Sequence, residues 1–222
     1  MEMPAYEKLD METWPRREHF HYYRNILPCG YSVTVQLDLT RFQAMLRDQG
    51  LKFYPSFIWC VSHTILSHPA FRMGVDQEGN PGTHDVLHPN YTIFHPDDHT
   101  FSDLWTEHSE DFSQFYQNFQ ADQAAYGDNH GIKAKPGQPA NFYCISCAPW
   151  LDFTGYASTV SGGQPNLFPV ITCGQMVREG DKVRMAMAIN ISHAAADGWH
   201  TAQFVRDLQG LLDTIPLHLE PR

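Results

Sequence analysis

From Tyr31 to Leu39 apolar and polar residues alternate: Tyr31, Val33, Val35, Leu37 and Leu39 stand against Ser32, Thr34, Gln36 and Asp38. A period of two is what a half-buried strand imposes on its sequence. The same period returns near the end of the chain, where Val183, Met185, Met187, Ile189 and Ile191 fall on one face of a second strand, Lys182 to Ile191. Elsewhere the spacing lengthens to three and four. Thr40 is placed to cap a helix that turns Phe42, Met45 and Leu46 inward and stops at Gly50. Pro55 opens another, with Ile58, Val61, Ile65 and Leu66 on its inner face.

The remaining chain reads in shorter pieces. A helix starting at Pro15 carries Phe20, Tyr23 and Arg24 and ends at Pro28. Short strands are expected at Phe71 to Val75, Val86-Leu87 and Tyr91 to His95, with a reversal over Gln77 to Gly82. After Ser109 the aromatic stripe Phe112, Phe115, Phe119 and Tyr126 has helical spacing, and residues 127 to 140 form a polar, proline-containing loop. Strands follow at Phe142 to Cys147 and Phe168 to Met176, a Gly180-Asp181 turn joins the latter to Lys182 to Ile191, and a last helix runs from about Trp199 to Leu212. Strands outnumber helices, and their connections include both a hairpin and longer crossovers. The expected fold is α/β, a two-layer sandwich of a mixed β-sheet with helices packed mainly on one face. With no linker signal, residues 1-222 read as a single domain.

Composition narrows the class. A chain that is 42% hydrophobic and 13% aromatic, without repeats or polar low-complexity tracts, is globular. A formal charge of -10 argues against nucleic acid or an anionic membrane as partner, since both need a basic face. The start, Met1-Glu2-Met3-Pro4, has no basic region leading into an apolar run, and no stretch reaches the apolar length of a membrane span, so a cytoplasmic protein is expected. Five cysteines are an odd number and disfavour a complete disulfide framework. Cys144 and Cys147 form a C-x-x-C on a strand, where positions three apart face opposite ways, which disfavours a redox or zinc role. Asn90-Tyr91-Thr92 and Asn190-Ile191-Ser192 match the glycosylation pattern but fall within expected strands.

The chemistry concentrates where the last strand meets the last helix, at Ile191-Ser192-His193-Ala194-Ala195-Ala196-Asp197-Gly198. A side chain at a strand's end can project past the sheet, and an imidazole is largely unprotonated near neutral pH, able to take a proton from an attacking hydroxyl or thiol. Thirteen histidines in the chain leave the hydrogen-bonded core residue open as the alternative for His193. Asp197 reads as the residue that closes the turn and starts the helix. His193, Asp197 and His200 lack any zinc spacing, and no metal is expected.

The pattern His193-x-x-x-Asp197-Gly198 resembles the active-site signature of coenzyme A-dependent acyltransferases of the chloramphenicol acetyltransferase kind, shared with dihydrolipoamide acyltransferases. Further stretches resemble the same family in order and spacing: Trp14-Pro15-Arg16-Arg17-Glu18-His19-Phe20, Lys52-Phe53-Tyr54-Pro55, Tyr91-Thr92-Ile93-Phe94-His95, Thr100-Phe101-Ser102 and Ile145-Ser146-Cys147-Ala148-Pro149-Trp150. The resemblance implies a two-layer sandwich and a homotrimer with each active site between two subunits. It implies acetyl transfer from acetyl-CoA to a hydroxyl of chloramphenicol, which inactivates the antibiotic, with no metal. In that reading His193 is the general base and Ser146 the donor to the oxyanion. Arg16 pairs with Asp197, Thr172 orients a water, Tyr23, Cys29, Tyr31, Thr92, Phe101 and Val160 line the acceptor pocket, and Lys52 and Tyr54 lie near the coenzyme.

Departures from the family pattern accompany the likeness. Ser192 stands where the family has a first histidine, and Gln175-Met176 where it commonly offers Lys-Tyr to the coenzyme, so a lower coenzyme affinity is expected, with Arg178 compensating only in part. Tyr31 and Ser158 replace more apolar residues and make the acceptor pocket more polar. Two other readings stay open at this point. One is a same-fold acyltransferase for another small alcohol or for a thiol, the thiol version being disfavoured by the lack of a lipoyl or linker segment. The other is a non-catalytic trimer that sequesters its ligand.

Overall fold

A computed structural model describes residues 6–158 and 163–219. In chain order its elements are β1 (Tyr6–Lys8), α1 (Arg17–His21) running on into a π-helical turn (Tyr22–Ile26), β2 (Gly30–Asp38), α2 (Thr40–Gln49), α3 (Phe53–Leu66), β3 (Met73–Val75), β4 (Pro81–His84), β5 (His88–His95), β6 (Thr100–Trp105), α4 (Phe112–Tyr126), β7 (Phe142–Cys147), β8 (Val170–Glu179), β9 (Lys182–Ser192) and α5 (Gly198–Thr214). Six strands form the main sheet in the order β2-β9-β8-β7-β5-β6. The pairs β5/β7 and β7/β8 are parallel and the rest antiparallel, which is the mixed α/β sandwich that the patterns imply. β1, β4 and β3 make a second, three-stranded sheet that the sequence reading did not anticipate.

Several local expectations need correction. Val86 and Leu87 lie outside any strand, and Phe71 ends a single 3-10 turn (Pro69–Phe71) that precedes β3. Thr40 does not cap α2. Its Oγ1 accepts a bond from the Val183 N–H at 2.9 Å, tying the helix start to β9, while Asp38 Oδ1 accepts from the Thr40 N–H at 2.9 Å. Gly50 does end α2, at φ 64, a left-handed conformation that glycine adopts without a Cβ clash.

β9 was read as half-buried, yet it is covered on both faces. Its polar-face positions Ala186 and Ala188 are as buried as Met185, Met187 and Ile189, because residues 151–158 lie over this face, with Tyr156 bonded to Ser32 and Thr34 and the Ser158 N–H donating to Asn190 Oδ1. α3 runs through the middle of the helical layer and touches both α4 and α5. It is joined to the sheet by the buried Ser62 to Tyr143 hydroxyl bond of 2.7 Å. α5 is fastened by Phe204, whose ring stacks on Phe71 with centroids 4.5 Å apart, both fully buried. The last helix is thereby fixed to the turn that precedes β3.

Truncating Phe204 removes an aromatic ring from a site with no room to collapse around it, so Phe204→Ala should lower unfolding stability by about 3–5 kcal/mol. The urea midpoint, taken at fixed protein concentration, checks this, and a loss under about 1 kcal/mol would show that α5 is held chiefly elsewhere.

Candidate active site

β9 ends at Ser192 and α5 begins at Gly198, so the five residues between them must turn the chain with Ala194, Ala195 and Ala196 fully buried. Ser192 organises that turn. Its Oγ accepts from the Ala194 N–H at 3.2 Å and its carbonyl from the N–H groups of Ala195 and Ala196 at 3.0 and 3.2 Å. Asp197 then caps α5, its carboxylate accepting from the backbone of Trp199 and His200, and the His200 Nδ1 lies 2.8 Å from the same carboxylate. Asp197 therefore starts the helix, as its position in the sequence suggests.

Arg16 approaches from the segment before α1. Its Nη1 is 2.5 Å from Asp197 Oδ2, and its Nη2 donates to the His193 carbonyl at 3.2 Å, so one guanidinium grips both ends of the turn. The His193 N–H donates to the Cys29 carbonyl at 3.0 Å. These bonds fix the histidine backbone, and two rings fix its side chain. Tyr23 stacks on the imidazole with centroids 4.1 Å apart and planes 1° from parallel, while Tyr31 meets its edge at 5.4 Å. Tyr31 is itself held by a 2.6 Å bond between its hydroxyl and Thr201 Oγ1, and burial chiefly raises its pKa. The His193 Nδ1 is buried and without a partner among the described residues, which leaves Nε2 as the nitrogen able to meet a ligand.

A second group of the expected residues assembles elsewhere. Ser146 on β7 registers with Thr172 on β8, and their hydroxyls are 3.4 Å apart. Ser146 faces a groove of about 850 Å³ with Tyr54, Thr92, Phe101, Trp150 and Met176 among its walls. The Tyr54 hydroxyl shares its proton between the carbonyls of Thr92 and Ile145 at 3.3 and 3.4 Å, and desolvation raises its pKa well above the usual phenol range, so it is a neutral wall of the groove. Lys52 is exposed at the α3 N-cap and stands outside the groove's lining. Cys29, Tyr31 and Ser158 instead border a smaller cavity of about 380 Å³ on the β2 side. Val160 lies outside the described residues.

The two groups do not meet within one chain. Thr172 registers with Ala188, and His193 follows the end of β9 five residues later (188 to 193), about 16 Å at strand rise. The sequence reading also passed over the aromatic wall made by Trp150 against Phe94, centroids 4.7 Å apart. Strand pairing brings those rings together, and neither has a local spacing signal.

A histidine on a turn between sheet and helix, backed by an arginine-gripped capping aspartate, and a serine facing a groove on the same mixed sheet, describe an acyltransferase of the two-layer sandwich class. Solved structures agree on the fold: a chloramphenicol acetyltransferase superposes with a TM-score of 0.82 at 21% identity over 94% of this chain and 100% of its own. A dihydrolipoamide acetyltransferase from Azotobacter vinelandii gives 0.63 at 14% identity over 88% of this chain and 86% of its own. Within that class the chain belongs to the chloramphenicol acetyltransferase family, whose model matches residues 4–209. Relatives named chloramphenicol acetyltransferase from Clostridium perfringens and Campylobacter coli are each 37% identical to it. The first alignment covers 95% of this chain and 100% of the relative, the second 94% and 99%.

Burial alone would raise the Asp197 pKa, but the hydrogen bond and charge of His200, together with Arg16, bring it down to about 2. A carboxyl that is more acidic in the folded than in the unfolded chain stabilises the fold above its unfolded pKa, near 4, and loses that contribution as the pH falls toward 2. Asp197→Asn should therefore be less stable than wild type at neutral pH, with the gap in urea midpoint shrinking below about pH 4. A gap that stayed constant through that range would assign the loss to the cap geometry and not to the charge.

Proposed function

We propose that the chain transfers acetyl from acetyl-CoA to a hydroxyl of chloramphenicol, inactivating the antibiotic, and that it does so as a cytoplasmic homotrimer of single-domain subunits. The family membership supports the reaction. The observation that carries the site is the His193 ring, backbone-anchored by Arg16 and Cys29 and stacked on Tyr23, with only Nε2 left to act.

His193 takes the proton of the acceptor hydroxyl as its oxygen attacks the thioester carbonyl. The new C–O bond forms first, and the negative charge collects on the former carbonyl oxygen, where Ser146 donates a hydrogen bond. Collapse breaks the C–S bond, and the coenzyme thiolate leaves with the proton that His193 holds. No acetyl-enzyme forms on this route. Thr172, 3.4 Å from Ser146, is suited to hold a water or the serine rotamer. Tyr23, Tyr31, Cys29, Thr92, Phe101 and Val160 contact the acceptor in this reading, while Tyr54 and Lys52 serve the coenzyme.

The separation of His193 from Ser146 within one chain supports assembly. A hydrogen bond to an oxyanion acts over about 3 Å, so both residues serve one reaction only if His193 of one subunit faces the groove of the next. A cyclic trimer supplies that pairing three times with a single kind of heterologous contact.

His193→Ala should abolish transfer in a folded protein, and Ser146→Ala should lower kcat by about 10² to 10³ with little change in acceptor KM. Trimers reassembled from equal parts of these two inactive variants should regain up to about one quarter of wild-type activity, because one interface in four then unites an intact histidine with an intact serine. Failure to regain activity in verified mixed trimers would place both residues in one subunit's site.

Gln175 is exposed and lies within an irregularity in the β8/β9 pairing between Cys173 and Met176, with its N–H donating to the Leu151 carbonyl at 2.7 Å. The adjacent Met176 lines the groove, its sulfur accepting from Gln43 Nε2 at 2.9 Å. A lysine here would add a screened attraction to a coenzyme phosphate, on the order of 1 kcal/mol. Gln175→Lys should accordingly lower the KM for acetyl-CoA several-fold at low ionic strength and leave kcat nearly unchanged. An equal gain with coenzyme lacking its 3′-phosphate would count against that phosphate as the group recognised.

A further inference from the structure

Away from these residues, the end of β5 and its turn into β6, His95-Pro96-Asp97-Asp98-His99, meet His130 from the loop after α4. One ligand atom from each of His95, Asp97 and His130 lies within 4.8 Å of the others. We propose that these three side chains form a site for a divalent transition-metal ion of the zinc, nickel or copper class, a site that neither the motif nor the acyl-transfer chemistry calls for.

The hydrogen bonds around the two rings decide which nitrogen of each carries a lone pair. Ser102 Oγ gives its single proton to the Asn129 carbonyl at 2.9 Å, a group that can only accept. Its 2.8 Å contact with His95 Nε2 must then be an N–H donated by the ring, which leaves the lone pair of a neutral His95 on Nδ1. Across the loop, His130 Nδ1 lies 2.8 Å from Asp98 Oδ2 and donates to that carboxylate, so the His130 lone pair sits on Nε2. A buried histidine oriented by a hydroxyl and a second oriented by a carboxylate have the outer support that metal-binding imidazoles need to fix tautomer and ring direction. Asp98 is itself held, accepting from the Thr100 N–H at 2.9 Å and Oγ1 at 2.7 Å.

The distances agree with that use. His130 Nε2 is 3.6 Å from Asp97 Oδ2, too long for a hydrogen bond. Two ligands at about 2.1 Å from one tetrahedral ion stand about 3.4 Å apart, so this pair is nearly at its bound separation. The His95 and His130 rings stack at 4.0 Å with planes 19° apart, and closing on an ion requires the outer ring to tilt. His130 has that freedom, since its side chain is 43% exposed, whereas His95 is buried and supplies the fixed point. The loop backbone is positioned independently: the Asp103 N–H donates to the Ile132 carbonyl at 2.7 Å and the Ala134 N–H to the Asp103 carbonyl at 3.0 Å. Two imidazoles with one carboxylate suit borderline cations and not magnesium or calcium, which prefer all-oxygen shells. An ion here would pin the tip of the hairpin that carries Thr92 and Phe101 to the loop after α4.

The test titrates zinc into the intact protein against a chromophoric chelator, in parallel with His130→Ala and Asp97→Asn, both at exposed positions. The wild type should take up one zinc per chain in the presence of excess magnesium and melt at a higher temperature when loaded. Each variant should bind about tenfold or more weakly and lose the rise in Tm. Equal zinc affinity in wild type and His130→Ala, or no uptake by the wild type at about millimolar zinc, would overturn the assignment. A rise in Tm that survives both substitutions would place the bound zinc elsewhere in the protein and overturn it equally.

Discussion

The grip of Arg16 on the turn between β9 and α5 is the interaction on which the arrangement of the chain depends. β9 is flanked on both sides and covered from Met185 to Ser192, so its register is strongly specified, since a slip of one residue would exchange Met185, Met187 and Ile189 with the alanines of the other face. α5 is specified independently through Phe204 and Phe71. The five residues between them must reconcile two elements that cannot shift. Ser192, Asp197 and Arg16 supply the hydrogen bonds that pair the N–H groups of Ala194, Ala195, Ala196, Trp199 and His200 and the His193 carbonyl through this turn. His193 is carried on that turn, so its position inherits the rigidity of both elements. A half-buried pair such as Arg16 with Asp197 lies between the exposed case, worth about 0–1 kcal/mol, and the buried case, where breaking one side costs about 3–5 kcal/mol.

The same sheet explains why the reacting groups of one chain stand apart. Ser146 and Thr172 sit where parallel strands pair in the middle of the sheet, with Ser146 lining the large groove. His193 sits beyond the end of β9, beside β2 at the sheet's edge. A sheet fixes such positions to within its hydrogen-bond geometry, and no side-chain rotation spans several strand residues. On the proposed reading, association between subunits brings acid-base and oxyanion groups into one site, and each subunit presents two unlike surfaces for that purpose. An edge formed by rigid strands suits this better than a loop, since a displacement of about 1 Å at the reacting atoms is enough to slow catalysis strongly.

Legibility in the sequence followed how local each constraint was. The alternation of β2, the Gly50 stop of α2, the aromatic stripe of α4 and the Asp197 cap of α5 are properties of a few adjacent residues, and all were readable. Thr40 was misread because its hydroxyl had two uses, and the tertiary bond to Val183 prevailed over the local cap. Val86 and Leu87 look like strand, yet two residues between β4 and β5 have no ladder to join. Both faces of β9 are buried, which alternation with alanine hides, since alanine is compatible with exposure and with close cover. In the site, His193 and Ser146 were legible as motif positions. The stack on Tyr23 and the bonds of Ser102 to His95 and Asn129 were not, because they join segments with no sequence relation.

Ser192 illustrates how a departure from a motif can leave the anchoring of the motif histidine in place. The residue before the histidine is fully buried and its side chain turns into the bend, not outward, so what that position must supply is an acceptor for the Ala194 N–H and a volume the bend can enclose. A serine hydroxyl meets both demands, and short side-chain to backbone bonds of this kind stabilise turns for the same reason that they cap helices. The neighbouring imidazole is positioned by contacts that do not pass through the Ser192 side chain: Arg16 on its carbonyl, Cys29 on its N–H, and Tyr23 and Tyr31 on its ring. The change therefore falls on the support of the bend and leaves the anchoring of His193 intact. At Gln175 and Met176, in contrast, the departure includes a groove wall, where a methionine sulfur contacts Gln43 and no cation stands at either position. The two differences thus act on separate steps, the first on folding of the turn and the second on what the groove can hold.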